Sequence, residues 1–383
     1  MTRLWDDLVG HDTVIAQMRA AVADQDTLAQ SWLITGPAGS GRSLVARAFA
    51  ADLLGIGADE DAVDRQVRSG THPDLTVLVT ERVLITIDEV RDLVEASYRS
   101  PVSAPWRVII IEDADRMVER TSNVLLKALE EPPPRTIWVL CAPSEADVIP
   151  TIRSRVRAVR LGVPPIEAIA GMLVERDGVD PVIAEQSARH AQSHIGMARR
   201  LATSAEARER RDRALRVIIG INAVSDAVFA AADIVALATE DAKAYTEARD
   251  EQDRAEFLNQ LGIAPGEAIP PGLRGQVKTL EENHKRRATR SLRDGIDRVL
   301  TDAESLYRDI LVLALGGGVA LTNEELRPEM ELWLSRHQPD HAIGVLDAID
   351  VARHRIDRNV TPTLSLEALF VVASGLVPAV MST

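Results

Sequence analysis

SNVLLKALEEPPP at 122–134, read together with TIRSRVRAVR at 151–160, decides how this chain is interpreted. The first stretch is a helix with an abrupt stop. Proline has no N–H to donate and disfavours helix in the residue before it, so Pro132-Pro133-Pro134 end the run. Upstream, Trp106 to Ile111 is almost continuously apolar, as expected of a strand covered on both faces. It leads into the acidic pair Glu112-Asp113. Earlier still, SWLIT at 31–35 is a short apolar strand followed by the glycine-rich turn GPAGSGRS at 36–43. A helix is predicted from Ser43 to Leu54, with Leu44, Val45, Ala48 and Leu53 near helical spacing.

The same alternation continues through 1–162. Leu75 to Val79 and Thr136 to Leu140 read as strands, and Ile87 to Tyr98 as a helix. Strands alternating with helices of this length imply a parallel sheet with helices on both sides, an α/β module. Pro164-Pro165 mark a boundary. Residues 163–205 read as a small domain of short helices without a convincing strand. Residues 206–383 read as helical throughout, interrupted by GIAPGEAIPPG at 262–272. No internal repeat or low-complexity segment stands out.

The bulk composition narrows the function classes. The 383 residues suffice for two or three domains with a substantial core. Net charge is −14, from 58 acidic and 44 basic residues. A chain whose main task is gripping nucleic acid carries a basic excess, so DNA contact here would need a local patch. The single cysteine, Cys141, makes neither an internal disulfide nor a cysteine-based zinc site, and its apolar run reads as a buried thiol. MTRLWDDLVG at 1–10 has no apolar signal core. The run Ile310 to Leu321 is broken by Gly316-Gly317-Gly318 and is too short to span a bilayer. A cytoplasmic protein without a membrane partner is expected.

The glycine turn follows the phosphate-loop spacing G-x-x-x-x-G-K-[ST] with one mismatch. Gly36, Gly39 and Gly41 would let backbone N–H groups curl around phosphate oxygens at a helix N-terminus, and Ser43 sits where a hydroxyl would reach Mg²⁺. Arg42 takes the place of the lysine. Its guanidinium is planar and bonds in a fixed fork, so the exchange is not conservative. Glu112-Asp113 reverses the order this chemistry wants, which is Asp for the Mg²⁺ shell and then Glu as base. Magnesium is strict about geometry. Both departures point away from a working ATP/ADP–Mg²⁺ site and toward one that is vestigial or binds nucleotide without turnover. On its own residues the turn also reads as purely structural, and the acidic pair as a helix cap facing water.

Arg153, Arg155, Arg157 and Arg160 form a cluster. The first three share one face if the segment is extended and diverge across a helix–strand transition. By spacing alone they read as a solvated or salt-bridged face. At a subunit boundary, an arginine of this kind can stabilise a neighbour's transferring phosphoryl group. His72, before Pro-Asp, reads as a turn residue rather than a metal ligand. EENHKRRATRSLRD at 281–294, the most basic part of the last domain, reads as a solvated helix face.

Several segments in order resemble bacterial DNA polymerase III clamp-loader subunits, the delta-prime type most closely. They are DLVGHDTVIAQM (7–18), the glycine turn, THPDL (71–75), ITIDEVRDL (85–93), RVIIIEDADRM (107–117), SNVLLKALEEPPP (122–134) and TIRSR (151–155). The resemblance implies an AAA+ module, a helical lid and a helical collar that joins a ring of subunits. It implies clamp-loader ATPase subunits and a delta subunit as partners, with the sliding clamp and primed DNA reached through the complex. It further implies that the family's Ser-Arg-Cys motif, which supplies an arginine to the adjacent subunit's ATP, maps onto Ser154-Arg155-Val156. The second sensor arginine would fall at Arg199 in GMARR (196–200).

Departures from the family are visible as well. The four-cysteine zinc module carried by many relatives is absent from 54–74, so no zinc is expected. Ala142-Pro143 stands where the first sensor would be polar. The expectation is a largely non-hydrolysing subunit acting in trans. The alternatives are an ATP-hydrolysing motor subunit of the same loader and an AAA+ ATPase of DNA repair.

Overall fold

Alternate residues of a strand face opposite sides of its sheet, and here both sides are apolar. In the computed structural model, which describes residues 3–24, 27–80, 84–260, 270 and 274–376, strands β1 (Ser31–Thr35), β2 (Leu75–Leu78), β3 (Arg107–Ile111), β4 (Thr136–Ala142) and β5 (Arg157–Arg160) form one sheet in the order β2-β3-β4-β1-β5. Every neighbouring pair is parallel. Trp32, Ile34, Val108, Ile110, Val139 and Cys141 pack against the helix Arg42–Leu54 on one side. Leu33, Ile109, Ile111, Trp138 and Leu140 pack on the other, against the helices Ile87–Ser97 and Glu119–Glu130. β4 lies between β1 and β3, with the glycine turn after β1 and the acidic pair after β3, which is the parallel α/β module expected from the sequence.

The four expected strands are present. The fifth, β5, is the tail of the arginine cluster. Only Val159 in it is buried, so an apolar period could not reveal it. The helix Glu60–Ser69 lies in the cysteine-free segment. Asp59 accepts from the Asp61 N–H at its start, and Gly70 ends it at φ +70°. The THPDL segment clamps the 102–104 loop. Asp74 is fully buried and accepts from the N–H groups of Val102, Ser103 and Ala104 and from the Ser103 hydroxyl, at 2.7–2.9 Å. His72 Nδ1 accepts from the Asp74 N–H at 3.1 Å, and burial lowers its pKa.

The chain divides into two compact units, one ending at Thr203 and one starting at Ser204. The helices Ile166–Asp177, Pro181–His190 and Ile195–Thr203 lie within the first, where Arg176 pairs with Asp7. The second unit is helical. Its core is drawn mainly from the helices Ala205–Ile219, Val224–Gln260, Arg274–Ala314, Pro339–Asp357 and Pro362–Ala373. A buried polar network crosses that core. Arg211 donates to Asp302 at 3.1 Å and to the Asn323 side-chain oxygen at 2.6 Å, while the Asn323 amide donates to Ser305 and Asp309.

The basic stretch 281–294 lies on Arg274–Ala314. Part of its charge is met by the facing helix, through Arg287 to Asp250 at 2.6 Å, and Glu281 of the same stretch accepts from Arg254 at 2.8 Å. The loop expected at 262–272 lies outside the described residues except for Pro270. Among the described residues no helix is long and apolar enough to cross a membrane.

Candidate functional site

The turn after β1 has the backbone its glycines require. Gly39 and Gly41 hold φ of +75° and +94°, where side chains are strained. The Gly36 N–H donates to the Pro143 carbonyl at 3.1 Å, tying the turn to the end of β4. Ser40 is buried, and its carbonyl meets Nε2 of His11 at 2.9 Å. His194 rests directly on the turn: a Cβ added at Gly39 would lie 2.1 Å from the imidazole Cγ. The Ile195 N–H donates to the Gly39 carbonyl at 3.2 Å.

Arg42 turns inward, and its Nη1 donates to the Gly36 carbonyl at 2.9 Å. The cation at the lysine position is therefore engaged by the loop itself. Ser43, half-buried, is the second residue of the helix Arg42–Leu54.

The acidic pair is engaged too. Glu112 accepts from Arg47 Nε and Nη2 on one oxygen, at 3.2 and 2.7 Å. Asp113 lies 3.9 Å from Arg116. The next carboxylate, Asp115, has a raised pKa, first through burial. Cys141, fully buried behind these groups, has its thiol pushed up by burial; the charges of Glu112, Arg42, Asp113 and Arg47 all reach it. The loop and the acidic pair are thus brought together as the sequence implies. Glu112, at the position the metal-side carboxylate would take, faces the Arg47 guanidinium, and Ala142-Pro143 offers no polar side chain beside the loop.

The arginine cluster diverges. Arg153 ends the helix Pro150–Arg153, Arg155 sits in the turn after it, and Arg157 begins β5. The Arg157 guanidinium lies over the Trp32 ring, 5.0 Å from its centroid. Arg160 lines a cleft of about 590 Å³ with Gly36, Pro143 and Ser144. Val156, in the cysteine's place, packs on the sheet core. Arg155 Nη1 donates to the Thr151 carbonyl at 2.7 Å and to the Ser154 hydroxyl at 3.0 Å, and its Nε donates to Glu130 at 2.6 Å. Ser154 in turn donates to Thr151 at 3.1 Å. Arg199, the expected second sensor, is paired with Asp177 at 2.5 Å.

Arg47, Glu130, His11 and His194 were not singled out in the sequence. Each acts across a fold contact, 65 residues for Arg47–Glu112 and 25 for Arg155–Glu130. Glu130 and His11 lie within quoted motifs, SNVLLKALEEPPP and DLVGHDTVIAQM, whereas Arg47 and His194 lie in none.

Residues 10–164 match the family model described as DNA polymerase III, delta subunit. DNA polymerase III subunit delta' of Pseudomonas aeruginosa is 36% identical over 135 residues, covering 33% of this chain and 41% of that one. The delta' subunit of Escherichia coli is 34% identical over 101 residues, 26% of this chain and 30% of that one. DNA polymerase III subunit gamma/tau of Mycobacterium bovis is 29% identical over 184 residues, 45% of this chain and 32% of that one. A DNA polymerase III gamma subunit-related protein of Thermotoga maritima superposes with a TM-score of 0.46 at 14% identity, over 94% of this chain and 98% of that one. The matches thus span well under half the length of these curated relatives. The resemblance to DNA polymerase III clamp-loader subunits of the AAA+ family holds over residues 10–164, the part that carries the motifs.

Proposed function

We propose that this chain is a delta-prime-like subunit of a DNA polymerase III clamp loader, acting in DNA replication in the cytoplasm. In this reading it hydrolyses little or no ATP itself. It offers Arg155 to the nucleotide on an adjacent ATPase subunit, in a complex that includes a delta subunit and places a sliding clamp on primed DNA. One contrast carries the reading. The charges around its own loop are half-buried and paired there, Arg42 with Gly36 and Glu112 with Arg47, whereas Arg155, although paired with Thr151, Ser154 and Glu130, stands exposed in a turn. An arginine supplied in trans is worth about 10³–10⁵ in rate. In a complex reconstituted with gamma/tau-type and delta subunits, Arg155→Ala is expected to lose most of the ATPase, with the unfolding midpoint of the isolated chain unchanged. Unchanged ATPase would overturn the reading.

A second reading, the ATP-hydrolysing motor subunit, is favoured by the 184-residue match to gamma/tau. ATPase of the purified chain with Mg²⁺ separates the two. Turnover by the chain alone would replace the trans reading; background rates support it.

A further inference from the structure

Arg155 uses most of its hydrogen-bonding capacity within its own chain. A guanidinium has about five N–H bonds. Nε and Nη2 both meet Glu130 Oε1, at 2.6 and 2.5 Å. Nη1 meets the Thr151 carbonyl and the Ser154 hydroxyl. A phosphoryl group is gripped along one edge of the fork. The Nε–Nη2 edge, which has the geometry for that grip, is the one that Glu130 occupies.

The placement of Glu130 is not explained by helix stability. It is the last residue of Glu119–Glu130, where the negative end of the helix dipole disfavours a carboxylate and favours a cation. The stop at Pro132 fixes the chain just beyond it. Two partly exposed side chains, 33% for Arg155 and 46% for Glu130, form a pair that contributes little to folding and is given up easily.

We propose that Glu130 is the positioning residue for Arg155. It holds the guanidinium by its Nε–Nη2 edge, in the orientation set by Thr151 and Ser154, and yields that edge to the phosphoryl charge of a nucleotide on an adjacent subunit. The inference rests on the trans role given to Arg155 above. Carboxylate and phosphoryl group compete for one cation, so Glu130 opposes engagement until a triphosphate displaces it.

The test compares Glu130→Gln, which keeps an acceptor and removes the charge, with Arg155→Ala in the reconstituted complex. ATPase is followed against ATP concentration. Removing a like charge a few ångströms from a phosphoryl group at a wet site is expected to lower the half-saturating ATP roughly threefold, with kcat unchanged. A merely structural pair would leave that concentration where it is. If Arg155→Ala abolishes stimulation while Glu130→Gln matches wild type, the positioning role is overturned and the trans role stands. A fall in kcat at constant half-saturation also overturns it, because Glu130 would then support the engaged arginine rather than release it. If Arg155→Ala leaves ATPase intact, both fall together.

Discussion

Arg47 donates through Nε and Nη2 to a single oxygen of Glu112, across 65 residues of sequence. The guanidinium comes from the helix behind the glycine turn and the carboxylate from the end of β3. The two side chains are 24% and 14% exposed. Desolvation offsets much of the attraction in so dry a pair, yet removing one partner leaves the other stranded.

Arg47→Met is therefore expected to destabilise the chain by about 1–3 kcal/mol, below the figure for a fully buried pair because both groups keep some water. Urea unfolding of the chain reads the change. Arg47→Met combined with Glu112→Leu is expected to recover most of the loss, since no charge is then left unpaired. A midpoint for Arg47→Met equal to wild type would show that the pair does not hold this corner of the site.

Asp74 makes acid stability testable. Burial acts to raise its pKa, but the hydrogen bonds from Ser103, Val102 and Ala104 outweigh it and hold the carboxyl below its ordinary value. A folded pKa below the unfolded one, which is about 3.9 for Asp, means the stabilisation is full above the unfolded value. It is lost as pH falls through the folded one. Asp74→Asn places an amide among donors that need an acceptor and is expected to cost about 2–4 kcal/mol at pH 7. The gap to wild type should shrink as pH drops toward 3. Denaturation series across that range give the answer. A gap of the same size at both ends would mean that the charge on Asp74 is not what clamps the 102–104 loop.

How much of this was legible follows physical lines. β1, β3 and β4 are buried on both faces, so their apolar runs announced them. The prolines after Glu131 marked the helix end. Gly39 and Gly41 marked a turn because only glycine adopts their conformation without strain. β5 was hidden, since an edge strand with one buried residue has no period to read. Arg42 and the Glu112-Asp113 order were legible as departures from a pattern, but not their partners. Arg47 and His194 look like ordinary helix and loop residues until the fold sets them against Glu112 and Gly39. The same holds for Arg155: its turn was legible, and its grip on Glu130 was not.

Gly39 and His194 provide a direct test of what the turn now supports. The imidazole sits where a Cβ on Gly39 would go, and the residue after it donates to the Gly39 carbonyl. His194 Nδ1 also accepts from the Met197 N–H at 3.2 Å, capping the helix Ile195–Thr203. Gly39→Ala imposes two costs. One is the left-handed backbone, about 1–2 kcal/mol for a residue with a Cβ. The other is displacement of the ring and, with it, of the first turn of that helix. His194→Ala removes the cap and the ring's packing, a loss of about 1 kcal/mol. The costs should therefore be non-additive: in the His194→Ala background, Gly39→Ala is expected to cost only the backbone strain. Hydrogen exchange over 195–203 is expected to quicken in Gly39→Ala well beyond its rate in His194→Ala. If Gly39→Ala costs the same in both backgrounds and leaves exchange there unchanged, the ring does not fasten this helix to the turn.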